Sequence, residues 1–69
     1  MKFWVVIERT PRNYGAYVPD LPGCIATGKT RAEAKRMIRE AIAFHIEGMK
    51  EEGLPIPEPS ASVGLVEVA

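Results

Sequence analysis

The hydrophobic pattern of this chain changes period along its length, and each change marks an element. Phe3-Trp4-Val5-Val6-Ile7 is an unbroken β-branched and aromatic run, which predicts a strand, and residues 9–13 with Pro11 form the turn that ends it. Tyr14-Gly15-Ala16-Tyr17-Val18 alternates bulky and small residues and is expected to pair back antiparallel. Pro19-Asp20-Leu21-Pro22-Gly23 carries turn chemistry: the prolines hold φ, Asp20 can bond its own backbone and Gly23 can take positive φ. A third short strand, 24–27, follows. Thr30 and Glu33 then have the spacing of a capping box, each side chain reaching the other's N–H. Ala34, Met37, Ile38, Ala41, Ile42, His45 and Met49 recur at intervals of three and four, the stripe of an amphipathic helix that runs to about residue 52 and stops at Gly53. Leu54-Pro55-Ile56-Pro57-Glu58-Pro59 must leave the helix extended, and Val63, Leu65, Val66 and Val68 predict a last strand. The order β-β-β-α-β predicts an α+β, two-layer fold, a small mixed sheet with one long helix on one face. The last strand should lie parallel to a neighbour after a right-handed crossover. Residues 1–69 form a single expected domain.

Two mismatches give this pattern a consequence. A helix over 31–52 is roughly 33 Å long, whereas strands of five or six residues span about 17 to 20 Å, so its last turns overhang and leave Ile46 and Met49 in need of cover. One helix layer shields one sheet face, yet the first strand is apolar on both: Phe3, Val5 and Ile7 to one side, Trp4 and Val6 to the other. Trp4, Val6, Ile46 and Met49 are therefore the expected interface residues, and a homodimer or homotetramer the expected state.

Size points the same way. Sixty-nine residues with one cysteine, Cys24, and one histidine, His45, allow neither an intrachain disulfide nor a structural metal cluster, so partner subunits are the remaining staple. No cofactor is expected. No cleavable leader and no apolar stretch of membrane-spanning length is present, which predicts a cytoplasmic protein with no membrane partner. Nine Lys plus Arg balance nine Asp plus Glu, so no net field directs the chain to a polyanion.

Four local signals need weighing. Gly23, Gly28, Lys29 and Thr30 satisfy G-x-x-x-x-G-K-[ST], the pattern of a phosphate-binding loop, which would make residues 23–30 a nucleotide site. Such a loop follows a buried parallel strand and has an acidic Mg²⁺ ligand elsewhere; here PDLP precedes it, and the glycines and the threonine already serve as turn, strand exit and helix cap. His45 lies on the apolar stripe with no serine or carboxylate spaced to form a triad, and Cys24 reads as a small buried hydrophobe, so no enzyme is expected. Lys29, Arg31, Lys35, Arg36 and Arg39 crowd the start of the helix, whereas Glu40, Glu47, Glu51 and Glu52 crowd its end, against the helix dipole. That basic cluster is either a solvated surface or a contact for an acidic partner or RNA, and an RNA-binding module is the alternative function it supports.

Three pieces taken together, YGAYVPDLPGC at residues 14–24, G-x-T-x-x-E-A at 28–34 and GLPIPEPS at 53–60, resemble the HicB-like antitoxin family, with Glu40-Ala41-Ile42 between them. The resemblance covers nearly the whole chain. It implies a partial RNase H-like core and a non-enzymatic antitoxin of a type II toxin-antitoxin system, which neutralises a small basic, RNA-cleaving toxin by covering it. Relatives of this kind often carry a further DNA-binding module; the sequence ends at Ala69 without one, so direct DNA binding is not expected.

Overall fold

The computed structural model describes residues 1–69 and contains three strands and one helix: β1 (Val6–Arg9), β2 (Tyr14–Tyr17), β3 (Ile25–Gly28) and α1 (Arg31–Glu51). The strands form an antiparallel sheet in the order β1-β2-β3, with α1 packed on one face, so the α+β two-layer architecture is the expected one.

Local chemistry explains each junction. In the β1–β2 hairpin the Thr10 hydroxyl accepts the Asn13 N–H at 3.0 Å, while the Thr10 N–H donates to the Asn13 carbonyl at 2.8 Å. The β2–β3 connection is a compact loop. Its backbone bonds run from the N–H of Val18 to Cys24 O (3.2 Å), of Leu21 to Val18 O (3.1 Å) and of Cys24 to Leu21 O (3.0 Å), with Gly23 at φ 85°. That winding turns Leu21 inward, to 1% exposure. Thr30 caps α1, its hydroxyl accepting the Glu33 N–H at 3.0 Å; the Glu33 carboxylate returns to the N–H of Lys29 at 2.9 Å, one residue earlier than the expected capping box. At the other end Gly53 at φ 70° donates to Lys50 O and Leu54 donates to Met49 O, a Schellman closure.

The core comprises Ala16, Val18, Leu21, Cys24, Ala34 and Ile38. Register explains its sheet side, because Ile7, Ala16 and Ala26 are cross-strand neighbours on the face that meets the helix, and Phe3, Val5 and Ile7 pack against the cluster as the alternation predicts. Gly28 lets helix and sheet approach: a Cβ there would lie 2.4 Å from the Ala34 amide nitrogen.

The C-terminal strand expected at Val63, Leu65, Val66 and Val68 does not form, and with it go the parallel pairing and the mixed sheet. Residues 54–69 hold no regular element, and those four side chains are 64%, 102%, 82% and 84% exposed. The physical reason is that strand propensity acts only through a partner edge. Within one copy the connector is held elsewhere: Asp20, expected to bond its own turn, instead accepts the Ser60 hydroxyl at 3.0 Å and the Ala61 N–H at 3.2 Å, forty residues away.

Candidate protein-binding surfaces

Three surfaces emerge from this frame. The first is the sheet face opposite α1. Pairing aligns Val6 with Tyr17 and Tyr17 with Ile25, so these three form one cross-strand row, while Trp4 lies before β1, outside any strand. Trp4, Tyr17 and Ile25 are 49%, 41% and 71% exposed. Sequence reasoning found Trp4 and Val6 but missed Tyr17 and Ile25, which join Val6 only through register; the hairpin loop length was the available signal.

The second is a groove of about 550 Å³ between the N-terminal segment and α1. Residues 1–5 all line it. The wall of the groove is thus the segment that leads into β1 and holds no regular element. Ile38 and Ile42 supply apolar lining from the helix, Pro59 comes from the connector, and the charged lining residues are Lys2, Lys35 and Arg39, all cations. Of the sequence-predicted residues, the groove thus brings together Trp4, Lys35 and Arg39. Lys29, Arg31 and Arg36 are exposed outside it.

The third surface lies on the outer side of α1. Glu40, Phe44, Glu47 and Glu51 follow one another at intervals of four, three and four, which places them within about a 60° sector turned away from the buried Ala34 and Ile38. Phe44 is 81% exposed and, with Glu47, Gly48 and Glu51, borders a hollow of about 170 Å³. Phe44 escaped the sequence reading because it falls off the apolar stripe, and that departure was itself the signal. Ile46 is half-buried on the flank of the helix, whereas Met49 is half-buried against the core of its own chain.

The chemistry-bearing residues are occupied structurally. Cys24 is 3% exposed, and burial pushes its thiol above the ordinary value of 9.0. Residues 25–28 of the phosphate-loop pattern are strand β3. Within the pattern the Cys24 N–H donates to Leu21 O and the Lys29 N–H to the Glu33 carboxylate, and Gly28 is pressed against the helix backbone. No group of three His, Cys, Asp or Glu side chains is placed to hold a metal, and no helix is long and apolar enough to cross a membrane.

Comparison with known proteins places this geometry. The family model described as "HicB_like antitoxin of bacterial toxin-antitoxin system" matches residues 3–67. An uncharacterized 14.9 kDa protein of Haemophilus phage HP1 is 43% identical over 58 residues, covering 84% of this chain; the chain spans only 44% of that relative's length. A UPF0150 protein of Thermoplasma acidophilum is 42% identical over 62 residues, which is 88% of this chain and 90% of the relative. Among solved structures, a chain of a "HicA3 and HicB3 toxin-antitoxin complex" superposes with a TM-score of 0.72 and 34% identity, over 88% of this chain and 72% of that one. With its core, its capped helix and its PDLPGC loop all inside the matched residues, the chain belongs to the HicB-like antitoxin family.

Proposed function

We propose that this chain is a non-enzymatic antitoxin that binds and neutralises a small basic, RNA-cleaving toxin by protein–protein contact in the cytoplasm, and that it works as a homodimer or homotetramer. The observation that carries the reading is family membership over residues 3–67, joined to a structural neighbour solved in a toxin-antitoxin complex. The outer stripe of α1 supports it physically: an exposed aromatic among three carboxylates offers a basic partner both an apolar anchor and charge complementarity. Trp4, Val6, Tyr17 and Ile25 supply the apolar area that self-association would cover.

The test is to add the chain to the co-encoded small basic protein and follow cleavage of a reporter RNA. Stoichiometric suppression is expected, and Phe44→Ala should weaken the complex by about tenfold or more while leaving the melting temperature unchanged. Undiminished cleavage in the presence of excess chain would remove the proposal. A second reading, RNA binding, draws on the exposed Lys29, Arg31, Lys35, Arg36 and Arg39. It requires affinity for a short RNA that falls steeply with salt, and a flat salt response removes it.

A further inference from the structure

We propose that Phe44 and Gly48 of α1 form a socket for one arginine side chain of the basic partner, the guanidinium stacking on the Phe44 ring and donating to the carboxylates of Glu47 and Glu51. This rests on the antitoxin reading and names the chemistry by which the partner is held.

The argument begins at Gly48. It lies inside the 21-residue helix, where glycine is the least favoured residue after proline. Packing within the chain does not require it: beyond its own helix, a Cβ at Gly48 meets nothing within 4 Å, whereas one at Gly28 would lie 2.4 Å from the Ala34 amide nitrogen. The glycine thus weakens the helix without relieving a clash. Its effect is on the surface. Helix side chains lean toward the N-terminus, so a side chain at 48 would cover the patch beside Phe44, four residues earlier on the same side. With only a hydrogen there, that patch is the hollow of about 170 Å³ bordered by Phe44, Glu47, Gly48 and Glu51.

Size and charge then select the occupant. Small-molecule sites begin at about 300 Å³, so the hollow admits a single side chain. Its apolar wall is an aromatic ring, 81% exposed, and its two charged residues are both acids. A guanidinium satisfies both at once, its plane against the ring and its N–H fork on a carboxylate, whereas an ammonium offers no plane to stack. The same carboxylates repel the phosphates of a nucleic acid. A second copy set two-fold on this stripe would bring Glu40, Glu47 and Glu51 against acids of its own. Arginine from a basic protein fits where both of these are repelled.

The experiment measures the Kd between the full chain and the co-encoded small basic protein by calorimetry. Gly48→Met fills the hollow with a better helix former, so it should raise Kd by at least about tenfold while the free chain melts no lower than wild type. Changing the partner's arginines to lysine one at a time should find one whose loss weakens wild-type binding by a similar factor and weakens Gly48→Met binding little further. A Gly48→Met chain of wild-type affinity overturns the proposal, and so does a partner in which no arginine couples to residue 48. Suppression of RNA cleavage by the wild type would in either case leave the antitoxin reading standing. N-acetylarginine amide serves as a probe independent of the partner. At millimolar concentration it should shift the Gly48 and Glu51 amide resonances of the wild type, with N-acetyllysine amide shifting them less and Gly48→Met abolishing the shift at Glu51. Equal shifts from the two probes overturn the socket, whereas an arginine-specific shift in a chain that fails to suppress cleavage removes the antitoxin reading and leaves the socket in place.

Discussion

Asp20 carries a tertiary constraint on a single carboxylate. Its partial burial acts to raise its pKa, but hydrogen bonds from the Ala61 N–H and from Ser60 outweigh this and hold it below its ordinary value of 3.8. A carboxyl depressed on folding adds stability above the unfolded pKa, and that contribution is lost as pH falls through the lower folded value. Denaturant midpoints should therefore fall for the wild type as pH drops below about 4, more steeply than for Asp20→Asn, and the two curves should converge in acid. Parallel curves would show that the carboxylate does not hold the connector. Gly28 is the other decisive residue. Gly28→Ala places a methyl 2.4 Å from the Ala34 nitrogen, in backbone that cannot step aside, and should cost about 1–3 kcal/mol by urea denaturation. A neutral result would mean that helix and sheet are less closely apposed.

At the scale of the element, the helix is the best specified part. Its start rests on one hydroxyl and one carboxylate, Thr30 and Glu33, and its end on Gly53 at positive φ. Thr30→Ala should lower stability by about 1 kcal/mol, with the loss visible as earlier amide exchange in the first turn of α1 rather than across the sheet. The helix is also longer than the sheet it covers: its 21 residues extend about 32 Å, against roughly 13 Å for a four-residue strand. Overhang was legible from element lengths alone. Its remedy was not, because Met49 turns back onto its own core while Phe44 stays exposed.

At the scale of the whole molecule, six buried apolar residues make a small core, and the exposed Trp4, Ile25, Phe44, Leu65 and Val66 are the apolar surface that the proposed self-association would draw on. Light scattering at micromolar concentration should give at least twice 7.6 kDa, and the thermal midpoint should rise with protein concentration, as mass action requires of a folded oligomer. A concentration-independent midpoint with a single-copy mass would count against self-association. The family was legible before the fold was known, since PDLPGC, the helix start and the IPEPS connector each record a local geometric demand, and three such demands at fixed separations rarely coincide by chance.

What the sequence by itself determined is whatever depends on neighbours along the chain: three strands, the hairpin turn and a capped amphipathic helix, although the apolar run expected as the first strand, Phe3–Ile7, contributes only Val6 and Ile7 to β1. What only the tertiary structure decided depends on which distant residues meet. Register put Val6, Tyr17 and Ile25 in one row; loop winding turned Leu21 into the core; a carboxylate at residue 20 captured residue 61. The last strand marks the boundary between the two, because valines and a leucine can favour an extended backbone, but a strand exists only where another edge supplies its hydrogen bonds, and residues 62–68 pair with none.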